Sequence, residues 1–227
     1  MDFRQPYNQK EFIKFFGDFL PDDFEQTTEP ININDLSFKP DRIKRVKLIG
    51  NAPSLENLHI YEIEHASESD PRVTLSRETF RLMSNYGVRK ALAVFISRNS
   101  HNYRFSLATI DLKLEGSRVT KDYSNPRRYS FFLGPDAKVH TPTEYLITKG
   151  RIKDLNDLQN RFSIEVVTKE FFSELSNWYF WTLKNIECPK DAEKEQHGKN
   201  IFTIRLITRL IFYLVYETKR TYTREFI

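Results

Sequence analysis

The chain has 227 residues, with 35 Lys plus Arg against 31 Asp plus Glu, a net charge of +4 and an isoelectric point near 9.0, a balance that permits an anionic partner without demanding one. Apolar residues make up 39% and aromatics 14%, including 19 Phe and 11 Tyr, which suits one ordinary domain, or one domain plus an appendage, with a sizeable core. A single cysteine, Cys188, excludes an internal disulfide framework and a cysteine-based zinc site, and seven glycines with no GxGxxG or P-loop sequence exclude the common phosphate-cradling loops.

The opening MDFRQPYNQK is polar and lacks the apolar stretch of a secretory signal, so the cytoplasm is the expected compartment. Residues 9–20 place Phe12, Ile13, Phe15, Phe16, Phe19 and Leu20 at helical spacing, which predicts an amphipathic helix ended by Pro21. Residues 21–41 are acidic and interrupted by Pro30 and Pro40, which predicts a loop with a short edge strand. Arg42 to Ile49 and Asn57 to His65 are β-rich runs on either side of NAPSLE, the pattern of an antiparallel hairpin. A helix follows within 71–86, with Asp70 and Ser76 as competing start signals and Leu75, Thr79, Leu82, Met83 and Tyr86 at helical spacing before Gly87.

Ala91 to Ile96 is an unbroken apolar run of strand length, as expected of an interior strand covered on both faces. Tyr103 to Leu114 reads as the next strand after the turn RNSHN. Helices interleaved with strands, with one hairpin in front, predict an α/β (α+β) domain built on a mixed sheet flanked by helices. Residues 115–160 are turn-rich and basic; beyond Phe162 two long helices are expected, IEVVTKEFFSELSNWYFWTL and NIFTIRLITRLIFYLVYETK, joined by a charged linker. The second is apolar nearly all round, but Arg205 and Arg209 would each cost about 2.5–3.5 kcal/mol at a bilayer centre, which favours a buried core helix over a membrane span. So apolar a helix needs partners, which predicts either a homodimer through residues 200–219 or a chain that is the amino-terminal piece of something larger.

The densest chemistry lies in LHIYEIEH. Strand alternation puts Glu62 and Glu64 on one face, with Tyr61, Ile63 and His65 on the other. Two neighbouring carboxylates repel unless a cation, a basic partner or a shared proton relieves them. They read either as acids on a solvated strand face or as an oxygen-rich seat for a hard divalent cation such as Mg²⁺. Asp41, after Pro40, is the candidate third acid, with Glu56 as the fallback; His59 and His65 lie on the wrong face to join them. Arg72, Arg77 and Arg81 on the following helix read either as a solvated face or as phosphate contacts. Arg127 and Arg128, with Lys121, Lys138, His140, Lys149, Arg151 and Lys153, form the most basic neighbourhood, interleaved with Tyr129 and Phe131. It reads either as a nucleic-acid surface or as an ordinary basic loop anchored by its aromatics.

The stretch DRIKRVKLIGNAPSLENLHIYEIEHASESDPRVTLSRETFRLM, with ALAVFISRNSHNYRFSLATID, SNPRRYSFFLGPDAKVHTP, DLQNRFSIEVVTKEFFSEL and NIFTIRLITRLIF, resembles the front end of bacterial restriction–modification polypeptides of type IIG, in which a nuclease domain is fused to an adenine-specific DNA methyltransferase and which are sometimes labelled type I restriction R proteins. The resemblance runs from about residue 40 to 218. It implies a PD-(D/E)xK nuclease fold over residues 1–155 and a helical connector over 156–227. It further implies that Glu62, Glu64 and Asp41 hold Mg²⁺ and carry catalysis, that Glu64 stands where lysine is usual, and that Arg127, Arg128, Lys138 and Arg77 contact DNA. The expected function is Mg²⁺-dependent hydrolysis of double-stranded DNA, in partnership with the methyltransferase part; the alternative is a catalytically silent DNA-binding or scaffold domain of the same system.

Overall fold

A computed structural model describes residues 1–33, 43–66, 74–115, 118–123, 129–188 and 197–224. It divides into two units, Met1–Glu165 and Val166–Ile227.

The first unit opens with helix α1 (Gln9–Phe19), capped by Asn8, whose side chain accepts the Lys10 and Glu11 amides. Its buried stripe is Phe12, Phe15, Phe16 and Phe19, and it stops at Leu20, before Pro21 as expected. Strands β1 (Glu25–Ile31), β2 (Ile43–Ala52) and β3 (Leu58–His65) then form an antiparallel meander. A 3₁₀ turn at Pro53–Leu55 joins the last two, closed by left-handed backbone at Glu56 and Asn57. Helix α2 (Thr74–Asn85) carries the chain over one face to β4 (Lys90–Ser97), which runs parallel to β3. A parallel neighbour requires such a crossover, and a helix supplies it. Strand β5 (Ser100–Glu115) returns antiparallel to β4; its first half also pairs with β7 (Ser130–Leu133) and its second half with β6 (Arg118–Tyr123). The result is a seven-stranded mixed sheet flanked by helices.

Two cores sandwich this sheet. On one face α1 packs Phe12, Phe15, Phe16 and Phe19 with Leu58, Ile60, Leu92, Val94 and Phe105. On the other, Leu75, Leu82 and Met83 of α2 meet Tyr61, Ile63, Ala91, Ala93 and Phe95. Consecutive β4 residues therefore enter opposite cores, which is why Ala91 to Phe95 are all buried and the run is apolar without alternation. Full burial of one such phenylalanine is worth about 1.5–3 kcal/mol, and the α1 core gathers seven of them. The short helix α3 (His140–Thr143) continues as one π-turn, Glu144–Thr148, and α4 (Leu155–Phe162) follows with Asp154 as its cap. Leu158 and Phe162 of α4 enter the α1 core, and the first compact unit runs to Glu165.

The second unit consists of most of α5 (Ile164–Asn185) and α6 (Gly198–Arg224). Thr203 and Ile207 are buried, whereas Ile204, Phe212, Tyr213 and Tyr216 are exposed, as are Trp178 and Trp181 of α5. A helix apolar all round needs neighbours on every side, and two helices do not provide them. Among the described residues no helix is long and apolar enough to cross a membrane.

Candidate functional site

Glu62 and Glu64 sit near the carboxyl end of β3, on the same face as Leu58 and Ile60 and therefore in the layer of α1. Both are 3% exposed. Burying two carboxylates side by side is costly unless each is paired, and the sheet register supplies the partners. Lys47 of β2 stands directly across from Glu62, and Arg45 directly across from Glu64. Lys47 Nζ lies 3.4 Å from Glu62 Oε1. Arg45 Nη2 lies 2.9 Å from Glu64 Oε2 and 3.8 Å from Glu62 Oε1. Arg98, one residue past β4, donates from Nε to Glu64 Oε1. The fourth oxygen, Glu62 Oε2, accepts the hydroxyl of Tyr7 at 2.7 Å.

Tyr7 comes from the segment ahead of α1 and wedges between the rings of Phe12 and Tyr103, at centroid distances of 5.1 and 5.7 Å. Burial, reinforced by the Glu62 charge, drives its phenol far above the ordinary tyrosine range, so the hydroxyl is a permanent donor. Of the three cations, Lys47 is the most enclosed at 20% side-chain exposure; Arg45 is 49% exposed and Arg98 84%.

The other expected site residues fall in several places. Asp41, Arg72, Arg127 and Arg128 lie outside the described residues. Ile43, the first described residue of β2, pairs with His65, so β2 starts beside the end of β3 that carries the acids. Glu56 is not part of the site: it lies before β3, at the opposite end from the pair, where it meets Lys90 at 3.5 Å. Arg77 is exposed on α2, in the layer on the other face of the sheet, and the fold does not bring it to the pair. Arg81 lies on the same helix and is paired there with the buried Glu78 at 3.1 Å. Lys138 follows β7, three strands from β3 but at the same end of the sheet, since Tyr103 pairs with Leu133 and Ser97 with Ser100.

Part of the basic neighbourhood is spent inside the molecule. Arg151 bonds Asp22 and the Gly17 carbonyl, and Lys149 lies 3.8 Å above the Tyr145 ring. Tyr129 and Phe131 pack against the α1 core, as anchors do. His59 and His65 are on the other face from the acids, as the alternation requires; His59 Nδ1 is 2.9 Å from the Tyr61 hydroxyl, and burial holds its imidazole below the usual histidine range.

Sequence reasoning missed Tyr7, Arg45, Lys47 and Arg98. The period-two spacing of Arg45 and Lys47 was a usable signal, because it mirrors that of Glu62 and Glu64 across the hairpin. Tyr7, 55 residues from its partner, gave none.

Among the described residues no three His, Cys, Asp or Glu gather closely enough to cage a metal by themselves. Mg²⁺ does not need such a cage; it is commonly held by one or two carboxylates, the remaining positions being water and phosphate oxygens. Two same-face carboxylates are hard oxygen donors of the kind that ion takes, and each of their four oxygens faces a cation or a hydroxyl. Comparison with protein-family models, with curated proteins and with solved structures finds no match for this chain.

Proposed function

We propose that the first unit is a nuclease-type domain of the PD-(D/E)xK kind from a restriction–modification enzyme, hydrolysing phosphodiester bonds of double-stranded DNA. The observation that carries this reading is the amine of Lys47 placed 3.4 Å from Glu62, across the hairpin from a glutamate pair. The resemblance expects a lysine two residues after the acid; the sequence has Glu64 there, and the neighbouring strand delivers an amine to the same carboxylate. The strand arrangement also supports it: β2 enters the sheet beside the acids, and α2 leads from β3 to a parallel β4.

In this reading Glu62 and Glu64 hold Mg²⁺, with Asp41 as the third donor. Mg²⁺, when bound, supplies Lewis-acid polarisation of the phosphate and a more acidic water. Glu62 is fixed in direction by Tyr7 on one oxygen and Lys47 near the other. Lys47 places its amine beside the position where negative charge develops on a phosphate under attack. Partners are double-stranded DNA, met by Lys138 and the basic segment with Arg127 and Arg128, and the methyltransferase part of the system. The exposed face of α6 within 200–219 then docks that part or a second copy.

One observation favours the second reading, a catalytically silent DNA-binding or scaffold domain: every oxygen of the pair already faces a cation or a hydroxyl. Plasmid cleavage with Mg²⁺ or Mn²⁺ separates the two. A nuclease cuts only with the divalent ion, loses all activity in Glu62→Gln, is strongly impaired in Glu64→Gln, and slows by roughly 10²- to 10³-fold in Lys47→Met, the scale of one lost electrostatic stabiliser. If DNA is bound but never cut, the nuclease reading fails; if it is cut at the wild-type rate with both glutamates replaced, the metal site lies elsewhere.

A further inference from the structure

The two glutamates are held by different kinds of partner. Glu62 is gripped from inside, by the hydroxyl of the half-buried Tyr7 and the more enclosed amine of Lys47. Glu64 is covered from outside, by Arg45 at 49% and Arg98 at 84% side-chain exposure. The contacts use Nη2 of Arg45 and Nε of Arg98. A guanidinium presents five N–H groups in a fork that matches phosphate oxygens as well as carboxylate oxygens.

We propose that Arg45 and Arg98 are the phosphate-binding pair of this site, and that they transfer from Glu64 to the backbone phosphate of an arriving duplex. The inference rests on the nuclease reading and adds to it the identity of the substrate contacts and the way they control the acids. Two arginines over one buried carboxylate neutralise it and shield its oxygens from a second cation. A phosphodiester offers the same charge to the same forks, in a position both side chains can reach because they project into solvent. Glu64, uncovered, regains an uncompensated charge in a buried place, which a divalent ion relieves. DNA and metal then assist each other, and by linkage each raises the other's affinity by the same factor.

The test is a Mn²⁺ titration of the whole chain, followed by electron paramagnetic resonance of the free ion, with and without a short blunt duplex. Wild type should bind Mn²⁺ roughly 5- to 150-fold more tightly with the duplex, the usual range of site-to-site coupling. Arg45→Gln/Arg98→Gln should bind Mn²⁺ more tightly than wild type when DNA is absent, with little further gain from the duplex. In a second arm, with chelator present, the slope of log affinity for the duplex against log salt should fall by about 1 for each arginine replaced. Arg98→Gln alone, at the most exposed position, serves if the double variant unfolds. The exchange is overturned if wild type binds Mn²⁺ equally with and without duplex, or if the salt slope of the variants is unchanged. Should that happen while Glu62→Gln abolishes Mn²⁺ binding, the metal site stands and only the exchange falls. Absence of Mn²⁺ binding under every condition overturns both.

Discussion

The hydroxyl of Tyr7 donates to Glu62 Oε2 at 2.7 Å, tying the segment ahead of α1 to the third strand of the sheet. Because the ring of Tyr7 lies against Phe12 and Tyr103, this bond joins the polar site to the aromatic core beneath it. Removing the hydroxyl while keeping the ring isolates the bond. Tyr7→Phe should lower unfolding free energy by about 1.5–3 kcal/mol, the range for a hydrogen bond to a charged group, measured as a shift of the urea midpoint at constant slope. An unchanged midpoint would show that water replaces the hydroxyl without cost.

Buried phenols make the fold sensitive to alkali. Tyr7, Tyr61 and Tyr103 are all pushed above the ordinary tyrosine range, in each case chiefly by burial. Their folded values lie above the unfolded value of about 10, so the folded state binds more protons once the pH passes that value. Their contribution is complete below pH about 10 and is lost progressively as the pH rises further. Urea midpoints should fall steeply above that pH, with tyrosinate absorbance appearing together with unfolding. Tyr61→Phe should flatten the fall; a tyrosinate signal from these rings ahead of unfolding would contradict it.

Gly134 has φ +119°, and a Cβ built there would lie 2.5 Å from Asn102 Oδ1 and 2.7 Å from Asn102 Cα. Backbone strain of about 1–3 kcal/mol adds to an overpacking cost of similar size. Gly134→Ala should therefore lower the melting temperature markedly and weaken the Gly134 N–H bond to the Phe3 carbonyl. Gly17, with open space around its Cβ position, is the control: Gly17→Ala in α1 should stabilise by about 0.5–1 kcal/mol.

Arg161 is buried in α4 and donates to the carbonyls of Tyr145, Gly150 and Arg151 and to the Asp157 carboxylate. Arg161→Met keeps much of the stem and strands these acceptors, at about 1–3 kcal/mol for each one left dry. Limited proteolysis should then cut first within residues 145–152. Protection equal to wild type would mean that the loop is held by other contacts.

The frame of the first unit was legible because its signals are local. The phenylalanine stripe of α1, the β2–β3 hairpin, the α2 crossover and the doubly buried β4 each follow from periodicity over a dozen residues or fewer. The shared face of Glu62 and Glu64 followed from the same rule. The short strand β7 was not legible, because its four residues carry no period of their own and their place is set by pairing with the first half of β5. The company kept by the acids was not legible either. Arg98 reaches Glu64 through the β3–β4 pairing and Tyr7 reaches Glu62 through the α1 core, both long-range consequences of packing.

The β2–β3 register shifts between Ile43 and Arg45 and again between Leu48 and Gly50, so the hairpin is a ladder with two kinks. Between those kinks Arg45 and Lys47 face the acids, while Val46 faces the opposite core. A slip of one residue would turn valine toward two buried carboxylates and drive both cations into apolar packing. The length of this stretch is thus fixed by charge as much as by hydrogen bonding. Across related chains the interval between the kinks should keep its length, and single insertions should collect in the turn after Ala52.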